Sequence, residues 1–202
     1  MTSRAEARPP RCLAGNAWIG LDASRAELAA AGPDAEGHVV QGDLVRLPFR
    51  SDVSDTIICS MALMLIDPIA EALGEIRRVL HPGGIVRLLL PADGPLTAGD
   101  RAGYAALAIA LGTTTLFPPS PLRHDLGQAL GDAGLTLITD HACRFAYPIH
   151  SSEDGARLVD SLYLPAVSPR RRHIARLIAA RWPTVDLGIP LRRVVARTQH
   201  AA

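Results

Sequence analysis

Residues 53–91 read VSDTIICSMALMLIDPIAEALGEIRRVLHPGGIVRLLLP, and this stretch decides the fold. Asp55–Cys59 is a short apolar run of strand length. Ser60–Asp67 follows as a loop. Pro68–Leu80 carries apolar residues at Ile69, Leu73, Ile76, Val79 and Leu80, one stripe of a helix with proline at its start. Pro82-Gly83-Gly84 turns the chain, and Ile85–Leu90 is a second buried strand broken only by Arg87. Strand, helix and strand in that order form one right-handed βαβ unit, because parallel neighbours need a crossover of this length. A parallel sheet of this kind holds its ligands outside the carboxyl ends of its strands. The functional residues are therefore to be sought just after each strand.

Upstream, Ala17–Leu21 is a short strand ending on Asp22, Ser24–Ala31 a helix closed by Gly32-Pro33, and His38–Gln41 a strand ending in Gly42-Asp43. Leu44–Ser51 is a loop. Residues 1–10 read as frayed, with Pro9-Pro10 blocking a helix, and Arg11–Ala14 as the last turn of a helix stopped at Gly15-Asn16. Downstream, Ala102–Leu111 and Leu122–Ala133 read as helices separated by the rigid break Pro118-Pro119-Ser120-Pro121. Leu135–Thr139 is a strand, with a continuation to Ile149 left open. Glu153–Tyr163 and Arg170–Arg181 are helices, and Leu191–Arg197 is a closing strand.

The chain has 202 residues, 48% hydrophobic and 20% charged, the balance of a globular protein with a buried core. A net charge of +1 argues against nucleic-acid binding as its main role, since tracking phosphates requires a basic excess. All 21 basic residues are arginine, which fits the codon bias of a GC-rich genome. Cys12, Cys59 and Cys143 are odd in number and widely spaced, as expected of a reducing cytoplasm. The first residues contain no secretory signal, and no apolar run is long enough to span a membrane. His141 and Cys143 lack further ligands at metal spacing, so no metal site is expected. No G-x-S-x-G elbow is present. Arg170-Arg171-Arg172 suits either an anionic substrate or partner, or a solvated helix face.

Three features lie at strand ends: Asp22-Ala23, Asp43-Leu44 and Ser60-Met61. A carboxylate at such a position can accept two hydrogen bonds from vicinal ribose hydroxyls. One strand further out, a second carboxylate can accept from an adenine amino group while the next backbone amide donates to a ring nitrogen. An aspartate after a strand also serves as a plain turn or helix-capping residue.

The series IGLDAS, QGDLVRLPF, SDTIICSMALMLI and EALGEIRRVLHPGG resembles the class I S-adenosylmethionine-dependent methyltransferases, and among them the type 11 group. The likeness covers residues 17–91 closely and residues 122–139 and 187–198 more loosely. It implies an α/β three-layer sandwich with a Rossmann-like, mostly parallel sheet of order 3-2-1-4-5-7-6 and an antiparallel last strand. It implies S-adenosylmethionine as cofactor, with Asp22 and Ala23 at the ribose, Asp43 and Leu44 at adenine, and Ser60 and Met61 at the methionine end. The implied partner is a small-molecule methyl acceptor. The expected organisation is one domain over residues 1–202, with the cofactor core in 17–91 and the substrate side in 92–202. No catalytic residue follows from the motif; His124, His141, His150, Tyr147 and Tyr163 are the candidate bases or orienters.

The sequence departs from the family in one respect. A glycine-rich loop after a first, central strand belongs about twenty residues before the ribose acid, where RPPRCLAGNAWIGL stands instead. Two expectations compete. Either the chain is cut short at its start, which CLAGNAWIGLD favours, or it is a relative that no longer binds cofactor. A nicotinamide-dependent oxidoreductase fragment is a third reading, opposed by Gly42-Asp43 and by the Pro-Gly-Gly segment.

Overall fold

The computed structural model describes residues 18–32, 38–113, 122–162, 164–182 and 185–199. The expectations for residues 1–10, for Arg11–Ala14, for the 118–121 break and for Tyr163 lie outside the described residues.

The chain opens with β1 (Gly20–Asp22), α1 (Arg25–Ala30) and β2 (Val39–Gln41), a small parallel unit in which Gly20, Leu21 and Asp22 lie opposite Val39, Val40 and Gln41. Ser24 caps α1 by accepting from the Glu27 amide. Next come β3 (Ser54–Ser60), α2 (Ile69–Val79) and β4 (Leu80–Pro91), with Thr56–Ser60 paired in parallel to Ile85–Leu89. This is the expected βαβ unit. The Pro-Gly-Gly segment differs in form: β4 begins at Leu80, and Pro82-Gly83-Gly84 is a bulge inside it. Gly83 takes a φ of 79°, which suits a residue without Cβ.

α2 buries Ala72, Leu73, Ile76 and Val79 and places Glu71 in its first turn and Arg77 and Arg78 in its last, in keeping with the helix dipole. α3 (Ala98–Leu111), α4 (Leu122–Asp132), β5 (Leu135–Ile149), α5 (Ser152–Ser161), α6 (Pro169–Ala179) and β6 (Val185–Thr198) complete the chain. β6 lies antiparallel between β4 and β5, giving a four-stranded sheet of order β3-β4-β6-β5. The antiparallel last strand and the order of neighbours are as the resemblance implies. Among the described residues no strand joins the β1–β2 pair to this sheet.

Two apolar clusters hold the elements together. In the first, Leu73 and Ile76 of α2 and Leu126 and Leu130 of α4 pack on Val86, Leu88, Val194 and Ala196. Leu44 and Val45, just after β2, pack against the same cluster and so tie the small unit to the main sheet. In the second, Leu107 and Leu111 of α3, Leu158 and Val159 of α5, and Ala175 and Ala179 of α6 close on Ile149 and Leu187.

β5 and β6 outrun the rest of the sheet. β4 ends opposite Leu191; past the bond from the Ala92 amide to the Pro190 carbonyl, the segment from Pro190 back to Val185 follows Arg144 through Ile149. At about 3.4 Å per residue this two-stranded ribbon projects roughly 20 Å beyond the carboxyl end of β4. α3, α5 and α6 pack around it as a helical cap. The sequence places the closing strand only from Leu191 and the first cap helix only from Ala102. The ribbon runs earlier because cross-strand pairing outweighs Gly188 and Pro190, and the helix starts earlier because Thr97 and Asp100 form a capping box.

Candidate functional site

The carboxyl ends of the parallel strands carry the residues singled out above. Asp22 closes β1 directly opposite Gln41, the last residue of β2, and the Gly42 amide donates to the Asp22 carbonyl at 3.1 Å. The turn after β1 is held locally. Asp22 Oδ1 accepts from the Ser24 amide at 2.7 Å, and the Gln41 amide side chain donates to the Ala23 carbonyl at 3.0 Å. Arg25 Nε donates to Gln41 Oε1 at 3.0 Å. The second Asp22 oxygen has no partner among the described residues, and the side chain is exposed.

Asp43 is held in the same way. Its Oδ1 accepts from the Val45 amide at 3.1 Å and its carbonyl from the Arg46 amide at 3.1 Å. The Leu44 amide between them donates to nothing among the described residues. The loop that follows is anchored to α2. Glu75 accepts from the Leu47 amide at 2.8 Å, and Arg78 donates to the Phe49 and Leu47 carbonyls at 2.8 and 3.1 Å. The Arg78 guanidinium holds the Glu75 carboxyl below its usual range.

Gly42 lets Leu21 and Pro48 close over the turn. A Cβ there would come within 2.7 Å of Leu21 Cδ1 and 3.1 Å of Pro48 Cδ.

Ser60 and Met61 end β3 in the four-stranded sheet. The Met61 amide donates to the Leu89 carbonyl at 2.8 Å, and Met61 adopts φ 56°, a left-handed conformation that costs a non-glycine residue about 1–2 kcal/mol. The short 3-10 turn Leu63–Leu65 follows, with Leu63 fully buried. Cys59 sits beneath it; burial raises its thiol pKa, so it is an inert core residue. The fold thus brings Asp22, Ala23, Asp43 and Leu44 onto neighbouring strand ends. Ser60 and Met61 lie at the carboxyl end of β3 in the separate sheet.

Three of the candidate bases have described side chains. Tyr147 donates to the Asp154 carbonyl at 3.1 Å inside the cap, and burial raises its pKa. His141 and His150 are exposed. His124 is described only in its backbone. Among the described residues no cluster of three metal-binding side chains is present.

Sequence reading misses one polar centre altogether. Asp100 in α3 is 2% exposed and accepts from Arg144 Nε and Nη2 at 2.7 and 2.9 Å, from the Gly188 amide at 2.6 Å and from the Thr97 amide at 2.8 Å. Tyr104 donates to the Gly188 carbonyl at 2.8 Å, and burial pushes its pKa up to about 12. This clamp fastens the cap to the β5–β6 ribbon. The Thr97-x-x-Asp100 capping box is its only local trace in the sequence. Arg192, paired with Asp140 and donating to the Leu122 carbonyl, fixes the start of α4 to β5 and β6.

Residues 6–88 match the family model described as a methyltransferase domain. The malonyl-[acyl-carrier protein] O-methyltransferase of Pectobacterium atrosepticum is 33% identical over 123 residues, covering 57% of this chain and 48% of that protein. This chain therefore spans about half the length of that relative. The [4+2]-cyclase SpnF superposes with a TM-score of 0.57 at 18% identity over 95% of this chain and 71% of that one. A Methanosarcina mazei protein described as an S-adenosylmethionine-dependent methyltransferase gives 0.50 at 15% identity over 91% of this chain and 82% of that one. Among the described residues no helix is long and apolar enough to cross a membrane.

Proposed function

We propose that this chain, a relative of the class I S-adenosylmethionine-dependent methyltransferases in sequence and in fold, transfers a methyl group from S-adenosylmethionine to a small-molecule acceptor. The observation that carries the reading is the pair of exposed carboxylates, Asp22 and Asp43, after two neighbouring parallel strands. Their acceptor chemistry fits the nucleoside half of the cofactor. Among the described residues Asp22 keeps one oxygen free for the ribose diol, and the turn that Ser24 braces presets its orientation. Asp43 can accept from the adenine amino group while the unengaged Leu44 amide donates to a ring nitrogen. Ala23 would line the ribose, and Ser60 with the left-handed Met61 would hold the methionine end.

The cofactor, when bound, supplies a methyl group already activated by a positive sulfur. The protein's own task is then to align the acceptor and keep water away. The ribbon of β5 and β6 with its cap overhangs the strand ends and is the part of the chain suited to that task. Tyr104 and Tyr147 are held by carbonyl acceptors and are not bases in this scheme. Such chemistry suits an acceptor that is already nucleophilic and needs no strong base.

A second reading is a methyltransferase-like protein without cofactor. It is favoured by the lack, among the described residues, of a glycine-rich loop at the strand ends. Calorimetric titration of S-adenosylhomocysteine separates the two. The first predicts one-to-one binding, weakened about 10- to 100-fold by Asp22→Asn through loss of a charge-assisted hydrogen bond. A folded chain that gives no heat sinks it.

A further inference from the structure

α6 is built the opposite way round from an ordinary packed helix. It buries two alanines, Ala175 and Ala179, each 0% exposed, and turns Ile174 and Leu177 outward at 40% and 46% exposed. The inward alanines have a cause. α5 approaches so closely that a Cβ on Gly155 would lie 2.4 Å from the Ala179 carbonyl oxygen, leaving no room for a larger side chain. The outward isoleucine and leucine have no such cause in the packing of α6 itself.

The charges on the same helix separate by role. Arg172 points inward and donates to the carbonyls of Val159, Leu162 and Leu164. Arg171 lies against Gly112 at the end of α3, where a cation complements the helix dipole. Arg176 is paired with Asp160 at 2.5 Å. That leaves Arg170 and Arg181, exposed and without an ion-pair partner among the described residues, and exposed His173. Positions 170, 174, 177 and 181 are spaced i, i+4, i+7 and i+11, so they fall on one stripe, with His173 beside it. Arg181 stands in the turn just after the helix. The outward face is therefore an apolar pair with an arginine at each end and no acid among its residues.

We propose that this face of α6 is a docking surface for an acidic protein partner, one whose carboxylates flank an apolar patch. The charge pattern sets the partner's sign, and the Ile174–Leu177 pair supplies an apolar centre within a basic rim. The helix is 11 residues long, and at 1.5 Å per residue and a width of about 10 Å its face offers on the order of 160 Å². That is far short of the ~800 Å² per partner of a stable interface, so the contact is a transient one. An anionic membrane is a poorer match. Two half-exposed side chains on a helix packed on its other faces give little to insert into lipid. The proposal does not depend on cofactor binding.

The test uses the full chain and a fluorescent helical peptide with glutamates around a leucine pair at i and i+4. A lysine-for-glutamate peptide and vesicles of phosphatidylcholine with phosphatidylglycerol serve as comparisons. Anisotropy should show binding of the acidic peptide only, weakening as salt is raised. Arg170→Glu with Arg181→Glu should weaken it at least about tenfold, and Ile174→Ser with Leu177→Ser several-fold. Circular dichroism should be nearly unchanged: a glutamate at 170 falls in the first turn, where the helix dipole favours it, and this offsets the unfavourable glutamate at 181, in the turn after the helix. Binding to vesicles but not to peptide overturns the proposal in favour of a lipid surface. Binding indifferent to either double variant, lost with charge reversal but untouched by the apolar changes, or absent altogether also overturns it.

Discussion

Replacing Asp100 with asparagine tests the clamp that joins the cap to the sheet. The carboxylate is 2% exposed and its two oxygens receive four hydrogen bonds from Arg144, Gly188 and Thr97. Asparagine keeps the shape but puts an NH₂ where one oxygen stood, so donors face donors. A hydrogen bond to a charged group contributes about 1.5–3 kcal/mol, and a buried amide left without an acceptor costs about 1–3 kcal/mol. Since side-chain relaxation recovers part of this, we expect a loss of about 3 kcal/mol. For a chain of this size that corresponds to a fall in Tm of about 6–12 °C.

The sign with pH follows from linkage. The Arg144 guanidinium, opposed by burial and aided by the Thr97 and Gly188 amides, holds the Asp100 carboxyl well below the usual carboxylate range. A lowered folded-state pKa stabilises the protein above the unfolded value of about 4, and that stabilisation is lost as pH falls toward the folded one. The Asp100→Asn variant has no proton to bind at this position, so the Tm gap between it and the natural protein should be full at pH 7 and shrink below about pH 4. The assay is thermal unfolding by circular dichroism across pH, with hydrogen exchange at the Gly188 amide as a local readout. A gap under about 2 °C at pH 7, or a gap that stays constant into acid, refutes the reasoning.

Gly188→Ala puts a Cβ 2.3 Å from Arg144 Nε and 2.6 Å from Asp100 Oδ2, so it should lower stability by about 1–3 kcal/mol in a denaturant titration. The loss should not add to that of Asp100→Asn, because both break one clamp. Gly42→Ala pushes against Leu21 and Pro48 and displaces the turn bearing Asp43; titration should show several-fold weaker S-adenosylhomocysteine binding with little change in Tm. Leu73→Ala empties a fully buried position between α2 and the sheet, and urea unfolding should show a loss of about 2–5 kcal/mol.

Much of this protein is set by local sequence. The apolar run 55–59, the stripe from Ile69 to Leu80 and the run 85–90 define β3, α2 and β4, because period and length alone distinguish a buried strand from an amphipathic helix. The same local logic places Asp22, Asp43 and Met61 at strand ends, since a strand must stop where its turn residues begin. Other features depend on partners far away in the chain. Asp100 is an ordinary capping residue until Arg144 and Gly188, 44 and 88 positions later, reach it. The ribbon from Val185 to Pro190 becomes strand only because β5 pairs with it. Even Arg170-Arg171-Arg172, one uniform run in sequence, divides into an outward, an inter-helix and an inward residue once α3 and α5 pack around α6. Short-range patterning determines which elements exist and which end of the sheet carries the chemistry. Long-range packing decides which polar groups are satisfied, and so which are left free to bind.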